Sequence, residues 1–188
     1  MSKANVNHLA YVGAKPGQRD SDSWYTPVKY LESARKVLKG FDLDPFSSTY
    51  ANETVKAKRI ITEKQDAFKT SWKAKTVFMN PPYGRGIASA ACHEFVRNFT
   101  EGNFSRGVVL VNNATETKWL QELLAYATAI CLTNHRISFT SPDGKHVSGN
   151  TRGQAFFLFE SNKKSKHATI ARFEREFSAY GTILKVSG

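Results

Sequence analysis

Asn80-Pro81-Pro82-Tyr83 is the segment of this chain whose residue types and order suit a particular chemistry. An exocyclic aromatic amine such as N6 of adenine is a poor nucleophile, because its lone pair is delocalised into the ring. Acceptors placed on both of its N–H groups pull density onto nitrogen and favour a tetrahedral, attacking geometry. The side-chain carbonyl of Asn80 is one such acceptor and the backbone carbonyl of Pro81 is the other. Proline holds φ near about −65° and has no N–H, so it fixes such carbonyls without a competing internal bond. Tyr83 adds an aromatic face for stacking, worth about 1–3 kcal/mol per base. A target base inside a duplex is out of reach and has to be flipped out. Two prolines before an aromatic can also simply end a strand. Here they follow the apolar stretch TVFM and precede a glycine and a helical segment, a context that favours the chemical reading.

The surrounding elements follow from hydrophobic periodicity. A helix is expected over 27–39, with Thr26 as N-cap, Pro27 at the first helical position and Gly40 as the stop. Strands are expected at 41–46, 59–62, 76–80, 107–113, 129–133, 154–160 and 182–186. Helices are expected at 86–101, at 115–127 with Thr115 as a cap, and at 167–178. Strands alternating with helices predict an α/β domain with a mostly parallel central sheet. Runs such as VVLV and AFFLF suit a sheet covered on both faces. Ligands in such sheets sit beyond the carboxyl ends of the strands. The clusters DPFSS, NPPYG and NNATE each follow a strand candidate, so they are expected to line one edge.

The 188 residues suffice for one domain with a real core, since 40% are hydrophobic. The expected organisation is an irregular arm over 1–23 and a single domain over 24–188. No apolar run is long enough to span a membrane. The amino-terminal segment has no apolar core of a secretory signal, so a cytoplasmic location is expected. Cys92 and Cys131 are then expected to be reduced, buried thiols. The five histidines show no metal-ligand spacing, so no metal is expected, and no phosphate-cradling GxxxxGK[ST] is present. The net charge is +11, distributed as +4 over 1–40, +2 over 41–134 and +5 over 135–188. Positive ends around a balanced centre suggest a polyanionic partner.

Taken together, WYTP (24–27), FDLDPFSS (41–48), QDAF (65–68) with Trp72, VFMNPPYG (77–84), VVLVNNATETKW (108–119), HRISF (135–139) and AFFLF (155–159) resemble, in that order, the small phage-encoded DNA adenine methyltransferases of the Dam type. The resemblance implies a Rossmann-like class I methyltransferase fold. It also implies transfer of a methyl group from S-adenosylmethionine to N6 of adenine in DNA. It assigns catalysis to Asn80, Pro81, Pro82 and Tyr83. Tyr25 and Thr26 would close over the methionine part of the cofactor. Asp44 would face its amino group, with Pro45 and Phe46 shaping the turn. Asp66 would accept a bond from its adenine amine, with Phe68 against that ring. Two departures stand out: Ser47 and Ser48 replace glycines, and only 21 residues separate Asp44 from Asp66, which implies a shortened or missing edge strand.

At this length no separate recognition domain is expected, so sequence reading is expected to come from loops. The segment 134–153, with a turn at Pro142-Asp143-Gly144, is expected to form a DNA-contacting hairpin that presents Arg136, Lys145 and Arg152. Lys163, Lys164 and Lys166 form a second basic cluster, expected to face phosphates. Two other classes are compatible with the same residues: a methyltransferase acting on an RNA base or a protein amide, and a non-catalytic DNA-binding module on a decayed methyltransferase fold.

Overall fold

Apolar strands buried on both faces organise the molecule, and every helix is placed by the stripe it lays on them. The computed structural model describes residues 25–84, 86–140 and 152–186. The elements are α1 Val28–Leu38, β1 Leu43–Asp44, α2 Thr49–Val55, β2 Arg59–Ile60, β3 Thr76–Met79, α3 Ile87–Thr100, β4 Arg106–Asn112, α4 Lys118–Tyr126, β5 Ala129–Thr133, β6 Gln154–Glu160, α5 Lys163–Phe177 and β7 Gly181–Lys185. A single 3₁₀ turn, Glu63–Gln65, follows β2. Among the described residues no helix is long and apolar enough to cross a membrane.

The sheet has seven strands in the order β2-β1-β3-β4-β6-β5-β7. The block β2-β1-β3-β4 is parallel. β6 then runs antiparallel to both β4 and β5, and β7 antiparallel to β5. Alternate residues of one strand enter opposite cores, as a period of two requires. Val109 and Val111 of β4, with Phe157 and Phe159 of β6, pack under α3 and α4, while Val108, Leu110, Phe156 and Leu158 pack under α1 and α5. This is the doubly covered sheet that the sequence predicts.

Several boundaries differ from expectation. The N-cap of α1 is Pro27, with no side-chain cap, and the Thr26 hydroxyl accepts from Asn80 Nδ2 instead. At its other end Lys39, not Gly40, is the left-handed cap, although Gly40 also has positive φ. β1 and β2 shrink to two residues each. Helix α2 has no counterpart among the expected elements, since only Val55 of its seven residues is buried and there is no apolar stripe to read. Ser48 caps it, its Oγ accepting from the Ala51 N–H at 3.1 Å. Helix α4 is capped at Thr117, not Thr115. Helix α5 starts at Lys163, before its buried positions Thr169, Phe173 and Phe177, with Asn162 as cap.

The sheet ends at β2 on the parallel side. Among the described residues no strand lies outside it, consistent with the short Asp44–Asp66 spacing. The amino edge of the parallel block is held by structural polar contacts. Glu160 is buried and accepts from Thr169 Oγ1 at 2.9 Å and from the Asn162 N–H at 2.9 Å. Asp42 pairs with Lys58 at 2.8 Å. Lys163, Lys164 and Lys166 follow β6 at this same edge, at the opposite end of the strands from Asn80.

Close packing of α3 on β4 requires a glycine. A Cβ on Gly107 would lie 2.5 Å from Phe95 Cζ. Gly107→Ala is expected to lower stability by about 1–3 kcal/mol in urea denaturation. Phe95→Leu in the same chain is expected to restore part of that loss, which an unrelated backbone effect would not allow.

Candidate active site

The carboxyl ends of β1, β3 and β4 bring DPFSS, NPPY and NNATE to one edge. Asn80 follows the last residue of β3, and its Nδ2 donates to Thr26 Oγ1 at 3.1 Å. Thr26 is buried. One N–H of the amide is thus held by Thr26, and Oδ1, the amide's acceptor, is buried. Pro81 is buried, and Pro82 and Tyr83 are half-buried. The Asn112 N–H, at the end of β4, donates to the Tyr83 hydroxyl at 2.7 Å. Burial pushes that phenol far above its usual range, against the Asn112 bond and the positive charge of Arg152. Tyr83 therefore stays neutral, its ring pinned between two strand ends.

Asp44 ends β1 and is buried. Its Oδ1 accepts from the Phe46 N–H at 3.2 Å. Burial raises its carboxyl to about 7, opposed first by that bond and then by the nearby Ser47 hydroxyl. Ser47 Oγ is itself buried without a well-aligned partner. Pro45 is buried beside it. Phe46 meets Phe68 edge-on at 5.6 Å and Trp72 at 5.9 Å. Trp72 is held by its Nε1–H donating to Ala67 O at 2.9 Å. Asp66 has φ 57°, accepts from the Phe68 N–H at 3.0 Å and pairs with Lys69 at 2.8 Å. The structure thus brings Asp44, Phe46 and Phe68 together, with Asp66 in the turn that carries Phe68.

Tyr25 and Thr140 form an isolated antiparallel bridge with N–H to O distances of 2.9 and 3.2 Å. Most of the expected 134–153 hairpin lies outside the described residues, which include its first arm up to Thr140. Residues 134–140 are anchored by buried Ile137 and Phe139 and bridge to Tyr25. The turn at 142–144 and Lys145 lie outside the described residues. Arg136 and Arg152 are exposed, on either side of that segment.

Sequence reasoning missed Gln154, a buried hub at the start of β6. Its Oε1 accepts from the Ile137 N–H at 2.7 Å, and its Nε2 donates to Arg152 O at 2.7 Å and to Asn112 Oδ1 at 3.3 Å. One amide thus ties the 134–140 segment to the strand end that holds Tyr83. The only signal in the sequence is a polar residue opening the most apolar strand.

Among the described residues no group of three or more His, Cys, Asp or Glu is arranged to hold a metal. Both cysteines are free and buried. Burial pushes the Cys131 thiol up to about 12 and that of Cys92 higher still, so neither is a thiolate nucleophile near neutral pH.

A family model described as DNA N-6-adenine-methyltransferase (Dam) matches residues 13–181, most of the chain. No curated protein gives a significant match.

Two outcomes are expected from this geometry. Thr26→Val removes the Asn80 partner while keeping the shape. It is expected to lower kcat about 10–100-fold, as loss of orientation does, with little change in KM, and Thr26→Ser is expected to restore the rate. Asp44 sits at about 7 in the folded chain against an ordinary 3.8. Between these values the native state keeps a proton that the unfolded chain has released. Stability therefore falls as pH rises through that window and levels off above it. Urea midpoints of Asp44→Asn are expected to lack this fall.

Proposed function

This chain belongs to the DNA N-6-adenine-methyltransferase (Dam) family, and from that premise we propose that Asn80–Tyr83 hold the target amine while Asp44, Phe46, Asp66 and Phe68 hold S-adenosylmethionine. The reaction is methylation of adenine N6 in DNA. Asn80 Oδ1 and the Pro81 carbonyl accept the two amine hydrogens and raise the nucleophilicity of the nitrogen. The Asn80–Thr26 bond is the observation that carries this reading, because it engages Nδ2 and so supports Oδ1 as the atom turned toward the amine. A donor at that position would repel the N–H groups. The Tyr83 ring is the stacking surface for a base taken out of the duplex.

The residues on the cofactor side fit S-adenosylmethionine, which carries an ammonium and an adenine ring. A buried acid with a carboxyl near 7, a buried Ser47 hydroxyl lacking a well-aligned partner and a partly exposed aromatic wall offer complementary chemistry. When bound, the cofactor supplies a methyl group on a positively charged sulfur, a good leaving group. Asp44 offers its carboxylate to the ammonium, and Asp66 accepts from the adenine amine. Phe68 lies against that ring, and Pro45 and Phe46 set the turn. Tyr25 and Thr26 lie over the methionine end, where Thr26 also holds Asn80. Ser48, which stands where the wider pattern has a glycine, caps α2 and so has a structural role of its own.

The segment 134–153, carrying Arg136, Lys145 and Arg152, is the DNA-contacting part of this reading. The reaction is tested by incubating DNA with the labelled cofactor and identifying the nucleosides by mass spectrometry. Label in N6-methyladenosine supports the proposal, and label elsewhere or nowhere removes it. Asn80→Ala is expected to lower transfer by about 10²–10³-fold or more, the effect of losing one directed hydrogen-bonding group at the reacting centre. Calorimetry is expected to find cofactor binding by that variant intact. Tyr83→Ala is expected to reduce 2-aminopurine fluorescence at the target position more than it reduces overall DNA affinity.

A further inference from the structure

At the same sheet edge, on the face covered by α1, lies a half-open cleft of about 330 Å³ lined by Pro27, Lys29, Tyr30, His135, Arg136 and Ser138. Lys29 and Arg136 bring two positive charges to it, and among the described residues no carboxylate lines it. The amino terminus of α1 opens onto it. No side chain caps that helix, and its first turn contains no acidic residue. The Tyr30 and Leu31 N–H groups bond to Pro27 O, so the N–H groups of Val28 and Lys29 and the positive end of the helix dipole are what favour an anion there. The far wall is held in place. The Tyr30 hydroxyl lies 2.6 Å from His135 Nε2, and His135 Nδ1 lies 2.7 Å from Asn134 Oδ1. Lys29 Nζ sits 4.8 Å from the centre of the Tyr30 ring. Pro27 is the residue after Thr26, the hydrogen-bond partner of Asn80. The cleft therefore begins one residue from the side chain that holds Asn80.

We propose that this cleft is a phosphate subsite, in which Lys29, Arg136 and the amino terminus of α1 receive a backbone phosphate of the DNA strand close to the target adenine. The inference rests on DNA being the substrate. It assigns Arg136 to the backbone, leaving base reading to other parts of 134–153. A phosphate held here would fix the strand relative to Asn80 before the base is turned out, which is the positioning role of such contacts. A second anion could compete for the same chemistry, the carboxylate of the cofactor's methionine part, so the test separates the two.

Binding of duplex DNA by wild-type protein and by Lys29→Gln is measured by fluorescence anisotropy across a salt series. The slope of log K against log salt is expected to become shallower by about 0.9, one phosphate contact, whatever the duplex sequence. Calorimetry with S-adenosylmethionine is expected to give the same affinity for both proteins. Duplexes in which single phosphates are replaced by neutral methylphosphonates locate the contact. One linkage is expected to weaken wild-type binding and to have no further effect on Lys29→Gln. An unchanged salt slope overturns the subsite, and so does a loss of cofactor affinity, which would give the cleft to the carboxylate. Arg136→Gln gives a second reading, because a change of base preference at constant salt slope also overturns it. If N6-methyladenosine forms but the slope is unchanged, the subsite alone fails. If no methyl transfer occurs but the slope and the single-linkage effect appear, the reading of the acceptor loop fails and the subsite stands.

Discussion

A hydrogen bond between two side chains far apart in the sequence, Asn80 and Thr26, sets the polarity of the acceptor loop. An amide has a donor end and an acceptor end of nearly equal size, and shape alone does not choose between them. The Thr26 hydroxyl accepts from the donor end, and the acceptor end, Oδ1, is buried at the same strand end. Thr26 must itself be held, and two constraints do so. It is buried, and its neighbour Tyr25 is bridged to Thr140. The acceptor loop, the entry to α1 and the 134–140 segment thus form one mechanical unit. Gln154 closes the circuit from the other side, through Ile137 and Asn112, to the hydroxyl of Tyr83.

The two edges of the parallel block divide the labour. The amino edge carries compact ion pairs and buried carboxylates whose acceptors are satisfied, such as Glu160 between Thr169 and Asn162. The carboxyl edge carries Asp44, lifted to about 7 because its burial outweighs one backbone bond, and a Ser47 hydroxyl without a well-aligned partner. Polar groups left poorly satisfied in a buried place cost stability. Their concentration at one edge is what a site waiting for a ligand requires. Among the described residues the sheet ends at β2, and the turn from Glu63 to Asp66 follows that strand.

Much of the fold was legible because its strands are continuous apolar runs and its longer helices bury periodic stripes. β5 and β6 lie at the expected bounds, and α3 lies within one residue of the expected 86–101 at each end. Helix α2 escaped because it buries one side chain and is held by its Ser48 cap. The start of α5 escaped because its first turn is entirely polar and only Asn162 marks it. In the site, NPPY and the acid at the end of β1 could be named from residue type and position. The second role of Thr26 and the whole role of Gln154 could not.

By itself the sequence determined which groups are present at the ends of the strands, because hydrophobic pattern dictates where each strand stops and which residues lie just beyond it. It also determined the net positive charge and the absence of glycines after Asp44. The tertiary structure alone decided which groups point at one another. Side-chain hydrogen bonds such as Asn80 to Thr26, Gln154 to Ile137 and Asn112 to Tyr83 leave no periodic trace along the chain. They depend on distances and angles that exist only after the sheet has brought distant segments to a common edge.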